Sequence, residues 1–190
     1  MAANQKRGRR KQASIVFIDE CGFQLQPLNR RTWAPRGETP QQVVSARHDR
    51  LSVIGALALS PRRKRIGLYF DMQDGNIRTA DVMRFLRRLR RHLKRRIILI
   101  LDRWSVHRSA VKQLLAAGAS SWLEVEWLPA YAPELNPVEP MWSHTKYSDL
   151  ANFVPDDLWD LEDRVAESLC EQYDEFVLKR SFFQTSGLTL

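Results

Sequence analysis

Residues 95–104 read RRIILILDRW, and this stretch decides the fold. Residues 97–101 form an unbroken apolar run of isoleucine and leucine, bounded by charge on both sides. A strand with one wet face alternates apolar and polar residues. A continuous run predicts a strand buried on both faces, at the centre of a sheet covered by helices. Asp102 follows directly at the carboxyl end of that strand. In open α/β sheets this is the edge at which sites are built.

The chain on either side supplies the rest of the sheet. Upstream, the turn Asp74-Gly75-Asn76 is followed by Thr79, expected to cap a helix reaching about Lys94. Val82, Phe85, Leu86, Leu89 and Leu93 fall at helical spacing on its core face. Eight basic residues lie between Arg84 and Arg96. Residues 51–59 and 65–70 predict a hairpin, joined through Ser60, Pro61, Arg62, Arg63 and Lys64. Ser14 to Asp19 predicts a first buried strand. Residues 21–46 carry Gly22, Pro27, Pro35, Gly37 and Pro40, and predict an irregular insertion with short strands near 32–34 and 42–45.

Downstream, residues 109–117 predict a helix stopping near Gly118, and 123–128 a further strand. Residues 129–137 are turn-rich. A helix is expected from Val138 past Lys146, because Pro140 is tolerated only in a first turn. Pro155 opens another, striped by Leu158, Leu161, Val165 and Leu169. The order predicts an α/β fold: a mixed five-stranded sheet flanked by helices.

The chain has 190 residues, 44% of them hydrophobic, enough for one domain with a sizeable core. No apolar run approaches the roughly 20 residues of a membrane span. Cys21 and Cys170 lack metal-type spacing and read as free thiols of a reducing cytoplasm. The net charge is +8, unevenly spread. From Glu134 onward there are 12 acidic and 4 basic residues; before it, 26 basic and 10 acidic. A polyanion is drawn to the first two thirds of the chain, and nucleic acid is the partner this implies.

Three acids stand out: Asp19 in SIVFIDECGF, Asp102 in RRIILILDRWSVHRS, and Glu139 in YAPELNPVEPMW. If the strands ending in Asp19 and Asp102 are parallel neighbours, both carboxylates emerge at one sheet edge, with Glu139 on a helix leaning over it. Three carboxylates so close repel one another, and divalent cations remove that cost. Two ions about 3.5–4 Å apart can flank one phosphate. Each acid also has a plainer reading, Asp19 and Asp102 as strand terminators and Glu139 as a carboxylate at a helix start. Glu20 should face the other side of the strand from Asp19. Glu134 competes with Glu139 for the third position, but a helix holds a ligand more firmly than a loop.

FIDECGF, LILDRWSVHRS and APELNPVEPMWSHTKYSDLANF together resemble the three catalytic blocks of bacterial insertion-sequence transposases of the mariner superfamily. These are DDE transposases with an RNase H-like core. The resemblance implies that Asp19, Asp102 and Glu139 are the catalytic, metal-binding triad, served by Mg2+ or Mn2+ as two ions. It implies DNA partners, namely terminal inverted repeats and target DNA, and a homodimer that pairs two element ends in a nucleoid-associated cytoplasmic setting. The domains expected are a flexible basic arm at 1–13, an RNase H-like core at 14–153 and a C-terminal helical extension, 154–190, packed on it. Two features depart from the pattern. Arg103 stands where many relatives have Asn. The N-terminal helix-turn-helix modules of full-length members are missing, so the chain resembles the second half of a split transposase or a truncated copy, with an upstream helix-turn-helix polypeptide or domain supplying end recognition.

Further DNA contacts are expected from Arg103, His107, Arg108 and Lys146 near the acids, and from Arg62, Arg63, Lys64 and Arg65 in the hairpin turn. Glu139, Trp142, Ser143 and Lys146 share a helix face by spacing. Trp33 and Trp104 can stack on an unpaired base or simply pack. The rival functions are an RNase H-like nuclease with another substrate and an inactive, DNA-binding transposase remnant.

Overall fold

The structure is a computed structural model, and it describes residues 12–42 and 49–188. Five strands form one sheet: β1 (Ser14–Gln24), β2 (Arg50–Leu59), β3 (Ile66–Asp74), β4 (Ile97–Leu101) and β5 (Leu123–Trp127), in the order β3-β2-β1-β4-β5. β1, β2 and β3 pair antiparallel, whereas β4 and β5 run parallel to β1. The apolar run at 97–101 is β4, fully buried between β1 and β5. The fold is thus the mixed, helix-flanked sheet expected.

Helices cover both faces. α1 (Thr79–Leu93) and α2 (Ser105–Ala116) pack Val82, Phe85, Leu86, Ala110, Val111 and Leu114 against Val16, Ile18, Ile54 and Leu99. On the other face α3 (Val138–His144), α4 (Leu158–Asp174) and α5 (Phe176–Thr185) cover Phe17, Cys21, Phe23, Val53 and Leu57. α4 and α5 contribute Leu161, Val165, Leu169, Phe182 and Phe183 to this second core.

Several elements begin or end elsewhere than expected. β1 continues past Asp19 to Gln24, because β2 pairs with it along its whole length, from Ile15↔Leu59 to Gln24↔Arg50. Its parallel ladder to β4 stops at Phe17↔Ile100. α2 starts at Ser105, four residues early, since the Asp102 carboxylate accepts the Trp104 N–H at 3.0 Å and turns the chain into the helix. Thr79 lies inside α1; the residue before it, Arg78, is the cap, its N–H given to Asp81 at 2.9 Å. α4 opens at Leu158 with Asp157 as its cap, accepting the Asp160 N–H at 2.9 Å, so Pro155 precedes the helix. No strand forms at 32–34, an exposed stretch just before Pro35; nearby, Leu28 bridges to Ala151. Residues 43–45 of the strand expected at 42–45, and most of the N-terminal arm, lie outside the described residues.

Candidate active site

The end of the β1–β4 ladder creates the site. Past Phe17 and Ile100 the two strands part, and Asp19 and Asp102 stand on either side of the opening. β1 keeps Asp19 rigid there by pairing it with Gly55 of β2. A Cβ at Gly55 would sit 2.6 Å from the Trp142 ring, so only glycine lets α3 lie this close to the strand. Trp142, 3% exposed, also meets Phe23 edge-to-face at 6.3 Å between ring centroids. This packing holds the first turn of α3, and Glu139 with it, over Asp19.

Asn136 fastens the same junction with polar bonds. Its buried side chain donates to the carbonyl of Ile18 at 3.3 Å and accepts the Val138 N–H at 3.3 Å. Its own carbonyl accepts the Glu139 N–H at 3.1 Å. The loop before α3 is thereby tied to the residue preceding Asp19.

Asp19, Asp102 and Glu139 line one pocket of about 240 Å³, together with Arg103, Trp104, Tyr131 and Asn136. Glu134 is exposed on the loop and does not line it, whereas Glu139 does. Burial holds the Asp19 carboxyl well above its usual pKa, and the negative charges of Glu139, Glu20 and Asp102 raise it further. Among the described residues no three His, Cys, Asp or Glu side chains close a metal cage by themselves. The donor set still fits a hard divalent cation. Such an ion takes carboxylate oxygens alongside water and phosphate, and would remove the repulsion that raises Asp19.

Glu20 points to the opposite face, as alternation requires, and meets His107 there. His107 Nε2 lies 2.7 Å from Glu20 Oε1, and its Nδ1 lies 2.6 Å from Asp102 Oδ1. Burial alone would lower the imidazole pKa. Hydrogen bonds to the two carboxylates outweigh it and push the value up to about 9. The His107 hydrogen bond in turn holds Asp102 below its usual value, against partial burial and aided by the Trp104 N–H.

These contacts correct one expectation. His107 is 1% exposed with both ring nitrogens engaged, so it is not a surface on which DNA can sit. Arg103 lines the acid pocket, and Arg108 is exposed on the first turn of α2. Lys146 turns away to a neighbouring cavity of about 420 Å³, its ammonium 5.5 Å from the Phe23 ring centre. There it partly offsets the burial that raises the Cys21 thiol. The shared face expected for Glu139, Trp142, Ser143 and Lys146 breaks up, because α3 ends at His144 and a wider π turn spans Thr145–Asp149. Arg62, Arg63, Lys64 and Arg65 sit at the other end of the strands, beyond the Ile15↔Leu59 pair. Trp104 is half-exposed at the pocket, whereas Trp33 is 99% exposed.

Sequence reasoning missed Arg50. It lines both the cavity holding Lys146 and a second one, about 410 Å³, that touches Asp19 and Asp102. Its guanidinium rests over Gly22, where a Cβ would approach Nε to 2.6 Å. Asn136 and Glu20 were visible only as parts of motifs. Their roles come from bonds across 118 and 87 residues of sequence.

A sequence profile of the DDE superfamily endonucleases matches residues 14–158. No curated protein sequence matches the chain. Among solved structures, the Mos1 mariner paired end complex with Mn matches with a TM-score of 0.66 at 18% identity, covering 98% of this chain and 58% of that one. The Mos1 strand transfer complex matches at 0.61 with 19% identity, over 98% and 58%. The catalytic domain of Mos1 mariner transposase matches at 0.59 with 19% identity, over 98% and 84%. The chain therefore spans 58% of the transposase chain in those complexes. At these identities the likeness is one of fold.

Proposed function

The chain belongs to the DDE superfamily of endonucleases, and we propose that it is the catalytic domain of a transposase, cutting DNA at the ends of a mobile element and joining those ends to target DNA. The observation that carries this reading is the convergence of Asp19, Asp102 and Glu139 on one pocket in a chain of net charge +8. A polyanion is drawn to the protein, and its phosphate meets a site that needs a cation.

In this reading Asp19, Asp102 and Glu139 are the catalytic triad and would hold Mg2+ or Mn2+, two ions being a recurrent arrangement for phosphate chemistry. When bound, the metal neutralises the phosphate and makes the attacking oxygen more nucleophilic. The chain's own residues do the rest. Asn136 and the Trp142–Gly55 contact keep Glu139 over Asp19. Arg103 and Arg108 offer phosphate contacts beside the acids, and Arg50 and Lys146 offer them in the adjoining cavities. Phosphate contacts of this kind supply affinity and register, with little base readout. Arg62, Arg63, Lys64 and Arg65 lie at least four residue steps of β1 from Asp19, roughly 13 Å, and suit DNA away from the scissile phosphate.

The partners in this reading are element-end and target DNA, with two copies of the chain pairing two ends. The related structures bear the names of paired end and strand transfer complexes of Mos1. A helix-turn-helix module, on an upstream segment or a partner polypeptide, reads the terminal repeats, and the nucleoid is the working place. Residues 14–153 form the catalytic core in this scheme, 1–13 a basic arm, and 154–190 a supporting extension. No helix among the described residues is long and apolar enough to cross a membrane.

The test is cleavage and joining of DNA bearing the cognate ends. Both should require Mg2+ or Mn2+, and Asp102→Ala should lower the rate at least about 1000-fold, the loss expected when several kcal/mol of transition-state stabilisation go. Undiminished cleavage by that variant would overturn the proposal. Hydrolysis of RNA–DNA hybrids or branched DNA without joining would move the assignment to a nuclease.

A further inference from the structure

The two strands that carry the site lose their backbone connection just before the acids. The β1–β4 ladder ends at Phe17↔Ile100, and both Asp19 and Asp102 lie beyond it. One side-chain bridge spans the gap. Glu20, next to Asp19 on β1, holds His107 Nε2 at 2.7 Å, and His107 Nδ1 reaches Asp102 Oδ1 at 2.6 Å.

The bridge also selects an oxygen. Asp102 Oδ1 accepts from His107 and, at 3.0 Å, from the Trp104 N–H. Its hydrogen-bonding capacity is largely used, so Oδ2 is the oxygen on which a cation would bind. The Asp102 side chain is 54% exposed and, without these bonds, would rotate about its terminal torsion. The imidazole itself is buried, bound at both nitrogens, and met edge-on by the Trp104 ring at 5.4 Å. Glu20 and Asp19 are adjacent residues, so the bridge references Asp102 to the backbone that carries the first acid.

We propose that His107, anchored by Glu20, is a positioning residue that fixes Asp102 for divalent-cation binding. This deepens the proposed function and rests on it. Residues that orient a metal-binding side chain from behind typically contribute 10–100-fold in metal affinity.

The experiment is a Mn2+ titration of the full chain, following free Mn2+ by electron paramagnetic resonance. His107→Ala and Glu20→Ala should each bind Mn2+ about 10–100-fold more weakly than wild type. His107→Asn, which keeps a donor near Oδ1, should recover part of the loss. In turnover by His107→Ala, kcat should fall while KM for DNA stays unchanged, because His107 is buried. A folded His107→Ala protein whose Mn2+ affinity is within twofold of wild type would overturn the inference. Should His107→Ala not fold, the wild-type protein still decides: the His107 Nδ1 resonance should shift when Mg2+ is added, and an unmoved resonance at saturating Mg2+ would overturn it. A wild-type chain that binds no Mn2+ at all would overturn the parent reading as well, whereas retained binding in His107→Ala strikes this inference alone.

Discussion

Asp19 bears the site's largest electrostatic burden. It is partly buried, which raises its pKa, and three other carboxylates raise it further. With the folded pKa above the unfolded one, ionising Asp19 costs stability. That cost sets in as pH rises above the unfolded value and is complete above the folded value. Asp19→Asn should therefore stabilise the cation-free protein at neutral pH by about 0.5–2 kcal/mol, the usual size of a single stabilising change. The gain should vanish in acid and be accompanied by loss of cleavage. Paired thermal unfolding and activity measurements check this; a destabilised Asp19→Asn protein would count against it. His107 behaves in the opposite sense. Its pKa rises from 6.5 to about 9 on folding, so its contribution is full below about pH 6.5, declines above it, and is gone once pH passes about 9. The wild-type Tm should fall across that window, and His107→Ala should lack this alkaline limb. The acids themselves were legible in the sequence, because each closes or follows a recognisable segment. The His107 bridge was not. A histidine five residues after an acid has many uses, and the bond to Glu20 exists only once β1 and α2 have met.

At the scale of elements, the short helix α3 is the part most dependent on its surroundings. Seven residues cannot hold a helix by propensity alone. Trp142 over Gly55 and the Asn136 bonds hold its start. Its end is held by a buried polar cluster, in which Gln172 of α4 donates to Thr145 at 2.7 Å and Ser168 donates to Asp149 at 2.6 Å. Gly55→Ala should push Trp142 off the strand, cost about 1–3 kcal/mol by overpacking, and impair cleavage by displacing Glu139. Gly118→Ala provides the comparison. Gly118 has φ +84, so alanine there is strained, but open space surrounds it far from the acids, and stability should drop with kcat unchanged. Equal effects of the two on kcat, after correction for the folded fraction, would contradict this. Strand and helix identities were legible from periodicity, and β4 most plainly. The α2 start was misread because its signal is a side chain, Asp102, outside the helix. The end of β1 was misread because its pairing with β2 runs beyond the apolar run that announced it.

Over the whole molecule, sequence order predicted the layers, and the sheet topology explains why the site lies where it does. β1 is central, antiparallel to β2 and parallel to β4, so an opening between two interior strands forms where their ladder stops. No periodicity encodes that opening; it follows from the different lengths of two neighbouring strands. The charge distribution was legible in full, since basic residues crowd the first 133 positions whatever the fold. All of this converges on a claim that one measurement tests directly: anomalous diffraction from crystals soaked in Mn2+. Manganese peaks should appear coordinated by carboxylate oxygens of Asp19, Asp102 and Glu139, paired within about 4 Å if two ions bind. Crystals saturated with Mn2+ that show no peak in this pocket, or a peak touching none of the three acids, would contradict it.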